Sequence, residues 1–191
     1  MSQIFHPSAN GIARIMLGGL IVLVAASGFL LYYVAKAPYV TRAFEARQQP
    51  IQFSHERHVA GNGIDCRYCH TAVEKSATAG IPPTKTCMNC HAQIRAQSAK
   101  LLPVRESYAS GMPIPWVKVH DLPDFVYYDH SAHLNAVDSN GQPKVQCQDC
   151  HGRVQDMDIV SVQTPFNMGW CLSCHRKPEM GASTDCSVCH R

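Results

Sequence analysis

CRYCH at residues 66–70 is the first of five related stretches; the others are CMNCH (87–91), CQDCH (147–151), CLSCH (171–175) and CSVCH (186–190). All ten cysteines of the 191-residue chain lie in these Cys-x-x-Cys pairs, and a histidine follows each pair directly. Working outward, FSHERH (53–58) precedes the first two stretches and YDHSAH (128–133) precedes the next two. Seventeen residues separate Cys69 from Cys87, and twenty separate Cys150 from Cys171. An aromatic-x-His-x-x-His segment followed by two Cys-x-x-Cys-His stretches therefore occurs twice, which marks an internal duplication. The second copy carries a turn-like insertion, DSNGQPK (138–144), and a tail that holds the fifth stretch.

Two thiols three positions apart can bond the two vinyl groups of one haem, and the next residue then lies under the iron. This is the physical content of the c-type haem attachment motif. It assigns thioether attachment to Cys66 and Cys69, Cys87 and Cys90, Cys147 and Cys150, Cys171 and Cys174, and Cys186 and Cys189. The proximal ligands are then His70, His91, His151, His175 and His190. The cofactor expectation is five covalently bound c-type haems. Cys-x-x-Cys pairs 15–20 residues apart also fit a four-cysteine zinc site. Five pairs leave one without a mate, however. Histidine is about 6% of the chain, so its presence after all five pairs has a chance likelihood on the order of 10⁻⁶. Disulfides, a third use of cysteine in an exported chain, do not require the histidine.

Six histidines lie outside the motifs. His6 precedes an apolar segment, which leaves His55, His58, His120, His130 and His133 as distal candidates, five for five irons. Neutral imidazole is a good iron ligand, and four of the five fall in the duplicated pairs. Met112, Met157 and Met168 are weaker distal candidates, because most methionines only pack. Five proximal and five distal ligands leave no open iron position. Pentahaem nitrite reductases resemble this chain in haem number, but they mark a catalytic haem with lysine in place of the motif histidine, and no such motif occurs here. The expectation is electron transfer, with no catalytic residue in this chain.

Residues 15–35, IMLGGLIVLVAASGFLLYYVA, carry no charge. At 1.5 Å per residue they are long enough to span the hydrocarbon layer, which needs about 20. A signal-peptide apolar region is shorter, about 7–15 residues. Arg14 and Lys36 bracket the segment. Charges at its two ends do not favour a periplasmic C-terminal side under the positive-inside rule, but c-type attachment is expected outside the cytoplasm. Residues 38–191 hold 15 Lys/Arg and 14 Asp/Glu. Five oxidised haems with ionised propionates would bring that part to about −4. Nothing here is the basic footprint of a nucleic-acid binder. Residues 92–110 read as partly helical, and 111–127, rich in proline, as extended.

FSHERH followed by Cys-x-x-Cys-His resembles the class III multihaem cytochromes. That resemblance implies that His55 serves the Cys66/Cys69 haem and His130 the Cys147/Cys150 haem, with His58 and His133 reaching other haems. The whole layout is similar to the pentahaem cytochrome c subunit of alternative complex III, on the strength of IPPTKTCMNCH (81–91), PWVKVHDLPDFVYYDHSAH (115–133) and MGWCLSCHRKP (168–178). It implies a membrane complex oxidising quinol. Electrons would come from an iron–sulfur subunit and leave to a mono-haem cytochrome c or a soluble carrier.

The expected fold is a multihaem cytochrome c: one transmembrane helix and a haem-wrapped domain of short helices and long ordered loops, with little or no sheet. The expected division is a cytoplasmic N-terminus (1–14), the membrane helix (15–35), a tether (36–50), a dihaem half (51–110) and a trihaem half (111–191). The haem domain is expected on the periplasmic side of a bacterial inner membrane. Two rival functions are a self-sufficient membrane-anchored quinol dehydrogenase and, of another class, a zinc-binding assembly module.

Overall fold

The computed structural model describes residues 6–190. Residues 1–5, which belong to the expected cytoplasmic N-terminus, and residue 191 lie outside the described residues. The chain divides into two compact units, Met1–Arg42 and Ala43–Arg191.

The first unit is built on α1, Ser8–Lys36, a 29-residue helix with no buried residue. It starts seven residues before the charge-free stretch and ends one residue after it. Pro7 stands at its start, where a missing N–H costs nothing, and Lys36 lies in its last turn, the favourable end for a cation. The Lys36 ammonium donates to the Tyr32 hydroxyl at 2.6 Å. A short α2, Pro38–Thr41, follows. An apolar helix of this length, exposed along its whole surface, is a candidate membrane span.

The second unit is made of short helices and ordered loops. In chain order the helices are α3 (Cys66–Cys69), α4 (Thr84–His91), α5 (Leu102–Ser110), α6 (His130–Leu134), α7 (Cys147–His151), α8 (Met168–His175) and α9 (Cys186–Cys189). A π-helical turn covers Glu56–Ala60. Among the described residues the only β pairing is in isolated bridges: Ala43 with Val162, Ala46 with Ser161, and Val137 with Pro143. Residues 43–49 are fastened to this unit by those bridges, by the Arg47 guanidinium on the Lys118 carbonyl (2.8 Å) and by the Gln49 amide on the Val117 carbonyl (2.9 Å). Residues 99–110 are helical and 111–127 carry no helix.

The apolar core of this unit is too small for its length. Among the described residues, Ala43, Ile51, Val73, Val104 and Val162 are the buried hydrophobics, and no large side chain is fully buried. A chain of about 150 residues ordinarily buries roughly two-thirds of the surface it exposes when unfolded. Its loops are nevertheless ordered by many turn and cap hydrogen bonds. Apolar bulk from something other than side chains is what such a frame requires.

Candidate haem-binding site

Each Cys-x-x-Cys pair is wound into one helical turn, which brings positions i and i+3 to the same face. The turns start where the sequence supplies a cap. Asp65 accepts from the Arg67 amide at 2.8 Å, Asp185 from Ser187 at 3.0 Å, and Asn167 from Trp170 at 2.9 Å. Gln146 and Asp149 form a reciprocal capping box ahead of Cys147. The motif histidine closes the turn: the amides of His70 and His190 donate to the carbonyls of Cys66 and Cys186 at 2.9 and 2.8 Å. After His151 the chain turns through Gly152 at φ +70°, where a Cβ would lie 2.8 Å from Gln163 Cγ. Only glycine fits there without a shift.

The imidazoles come together in pairs. His58 and His91 have ring centroids 6.0 Å apart, His133 and His175 6.0 Å, and His130 and His151 6.2 Å with parallel planes. A coordinating nitrogen lies about 2 Å from a first-row metal and about 1 Å from its ring centre, so two imidazoles facing one iron have centroids roughly 6 Å apart. Three pairs meet that spacing. His55 lies beside His70 and His58; burial first, then those two rings, push its basicity down to about 4. His151 is likewise held down to about 4, by burial and then by His120, His130 and His70. Both rings are therefore neutral at pH 7, the form that binds a metal.

Ring orientation is set by backbone. Seven imidazoles place Nδ1 against a carbonyl: His58 on Ser54 (2.8 Å), His70 on Gly80 (2.7 Å), His91 on Ile94 (2.9 Å), His130 on Ala77 (2.8 Å), His133 on Asp129 (2.7 Å), His175 on Ser183 (2.7 Å) and His190 on Phe125 (3.1 Å). A carbonyl oxygen only accepts, so Nδ1 carries the proton and Nε2 keeps its lone pair. That tautomer and that outer partner are the usual setting of a metal-binding histidine. Sequence reading missed these carbonyls because a backbone oxygen has no residue signature. Aromatic rings complete the setting. Phe53 stacks on His58 at 4.3 Å and meets His55 edge-on at 4.8 Å, while Tyr128 stacks on His133 at 4.5 Å and meets His130 edge-on at 4.8 Å.

The other candidates are placed differently. His120 packs edge-on against His151 at 4.5 Å and near Phe166 at 5.7 Å, closer to His151 than an intervening iron allows. Among the described residues its buried Nε2 has no hydrogen-bond partner, and neither does the buried Nδ1 of His55. Met112 and Met168 are exposed, at 67% and 60%. Met157 is half-buried, and its carbonyl accepts from the Glu56 amide at 3.1 Å. His6 bonds Ser8 locally. Among the described residues, no three His, Cys, Asp or Glu side chains converge as a metal-holding group, so the thiols of each copy do not meet as a four-cysteine zinc site.

The residues fit a haem-type group: exposed or half-buried thiol pairs on single turns, imidazoles facing across an iron's width, a buried unpartnered imidazole nitrogen, and a core lacking large side chains. Residues 51–105 match the family described as cytochrome c7 and related cytochrome c. The chain is also 31% identical over 169 residues to the multiheme cytochrome c subunit of menaquinone reductase from Nitratidesulfovibrio vulgaris, covering 78% of this chain and 79% of that protein. The chain thus belongs to the multihaem cytochromes c, as an electron-transfer subunit.

Proposed function

We propose that this chain holds five c-type haems and serves as the electron-transfer subunit of a membrane quinol-oxidising complex, passing electrons to a periplasmic cytochrome c or other carrier. The observation that carries this reading is the facing of imidazoles at 6.0–6.2 Å in a chain with five attachment motifs. The ten motif cysteines would form the thioethers, and His70, His91, His151, His175 and His190 would be the proximal ligands. Ring spacing pairs His58 with His91, His130 with His151 and His133 with His175. Proximity pairs His55 with His70. His120, with its unpartnered Nε2, is the remaining imidazole for the fifth iron, and Met112, Met157 and Met168 are its alternatives. Bound haems would supply one-electron chemistry at tuned potentials. The protein's own part is to fix the tautomers, face the rings and exclude water. On this reading the chain has no substrate of its own.

The anchor is α1, and the haem unit lies on the periplasmic side of a bacterial inner membrane, where thioether attachment is expected. An iron–sulfur subunit feeds the chain and a mono-haem cytochrome c receives from it. The name of the relative from N. vulgaris favours a second reading, in which the same subunit works in a complex that reduces menaquinone. The assay that separates them uses the purified membrane complex containing this chain. Quinol-dependent reduction of a cytochrome c supports the first reading, and menaquinone reduction by a low-potential donor supports the second. The intact mass of the denatured, membrane-extracted chain tests the cofactor itself, because thioether-bound haems survive denaturation. Five haems on the full chain are expected, and a bare chain mass rejects the proposal.

A further inference from the structure

The sequence numbers the attachment sites one to five, but space orders them differently. The Cys69 thiol lies in the field of Cys87 and Cys90, and the two helices are tied by the Asn89 amide on the Tyr68 hydroxyl at 3.3 Å. The first and second sites are therefore neighbours. The Cys66 thiol lies in the field of that of Cys147, which makes the first site a neighbour of the third. Backbone docking across the duplication agrees. The Ser131 amide donates to the Ser76 carbonyl at 3.2 Å, and the Glu56 amide donates to the Met157 carbonyl at 3.1 Å. Ser76 lies six residues after His70, and Met157 six after His151. Each copy thus lays its distal-histidine turn on the loop that follows the first motif of the other copy. The Asn135 amide adds a bond to the Glu74 carbonyl at 3.0 Å.

The remaining links follow the chain. Tyr128 meets His130 edge-on at 4.8 Å and stacks on His133 at 4.5 Å, and those two rings face His151 and His175; Cys150 accordingly lies in the field of Cys174 and Cys171. Cys171 in turn neighbours Cys189. The Tyr127 amide holds the Cys189 carbonyl at 2.9 Å, next to Tyr128.

We propose that the attachment sites succeed one another in space in the order Cys87/Cys90, Cys66/Cys69, Cys147/Cys150, Cys171/Cys174, Cys186/Cys189. This deepens the function proposed above and rests on it. The join between the two copies runs through their first motifs. The two ends of the conductor are the CMNCH and CSVCH motifs, so electrons enter at one and leave at the other. The CRYCH site, first in sequence, is interior.

Methionine ligation raises a haem's potential, so a distal His→Met change makes the chosen haem the first to be reduced. A reduced low-spin haem is diamagnetic and stops broadening the EPR lines of its neighbours. In the full-length holoprotein of His55→Met, one-electron reduction should sharpen two of the remaining signals. In His58→Met it should sharpen one. The sequence order one to five would reverse these counts, one for His55→Met and two for His58→Met, and that result overturns the proposal. Intact mass is checked first: fewer than five haems on the wild-type chain is a failure of the cofactor reading and not of the order. Should either variant lose haem, the iron positions in the wild-type holoprotein decide the order directly. The iron on His70 should be nearer than the iron on His91 to the iron on His151, and the converse overturns the proposal.

Discussion

In the second copy of the repeat His130 is fastened to the loop beyond His70, its amide and its Nδ1 both on the Ala77 carbonyl at 3.2 and 2.8 Å. In the first copy Glu56 docks on Met157 just as Ser131 docks on Ser76, yet Nδ1 of His55 is buried with no partner. The motif histidines show the reverse. His70 is fastened to the Gly80 carbonyl at 2.7 Å, whereas no such bond to His151 occurs among the described residues, and its ring is held by contact with His120 and Phe166. Of the two rings brought together at each first motif, one is thus carbonyl-anchored, on opposite sides in the two copies. Backbone docking is repeated because it depends only on spacing from the motif. Ring anchoring depends on which carbonyl happens to face inward, so it diverges without disturbing the frame.

The second motifs of the copies are alike, and removing their distal rings should give the largest effects of the comparison. His58→Ala and His133→Ala each take away the imidazole that faces His91 or His175 across 6.0 Å. Each should convert about one fifth of the low-spin haem signal to high-spin, read by EPR and visible spectra. If both variants keep a fully low-spin spectrum, the facing pairs are not ligand pairs.

A smaller difference is expected from the residue after each first motif. Gly152→Ala places a Cβ 2.8 and 2.9 Å from Gln163 at a φ of +70°, so it should cost roughly 1–3 kcal/mol in thermal or denaturant unfolding. Thr71 holds the equivalent place in the first copy, is exposed, and is not among the positive-φ residues. Thr71→Ala should stay within about 0.5 kcal/mol. Equal losses at the two positions would mean that the turn after the motif is not where the copies differ.

Much of this frame was legible in the residues alone. The motif spacing marked the thiol pairs, the duplicated Phe53-x-His55 and Tyr128-x-His130 segments marked rings that the fold sets beside motif histidines, and the scarcity of long apolar runs outside 15–35 pointed to the short helices and the poor core. Three things were not legible. The start of α1 at Ser8 follows from helical propagation through SANGIAR, which has no hydropathy signal of its own. The carbonyls that orient the rings are backbone atoms, so no side chain announces Gly80 or Ala77. The placement of His120 beside His151 depends on the loop 111–127, a proline-rich path whose direction local sequence does not determine.

The unequal anchoring of His55 and His130 should appear as unequal resistance to displacement. One hydrogen bond from Nδ1 contributes about 1 kcal/mol, on the order of fivefold in an equilibrium constant. Exogenous imidazole or cyanide should therefore displace His55 from the Cys66/Cys69 haem at about fivefold lower concentration than it displaces His130 from the Cys147/Cys150 haem. A titration followed by EPR, with the two signals assigned through His55→Met and His130→Met, reads the order. Displacement of His130 first would show that burial of the His55 ring outweighs its missing bond.

The least effect is expected where the copies differ by one hydroxyl. Phe53 and Tyr128 hold the same two contacts, stacked on the second histidine of the pair and edge-on to the first, within 0.2 Å of each other in both distances. What the rings share is the apolar face that keeps water from the imidazoles. The Tyr128 hydroxyl makes no hydrogen bond among the described residues, and burial, then Cys150 and Asp129, push its ionisation far up, so it is neutral. Tyr128→Phe should therefore change stability by less than about 0.5 kcal/mol and leave all haem signals in place. A shift in the His130 or His133 haem signal of that variant would instead assign the hydroxyl a part in setting the potential, and the two copies would then differ in tuning as well as in anchoring.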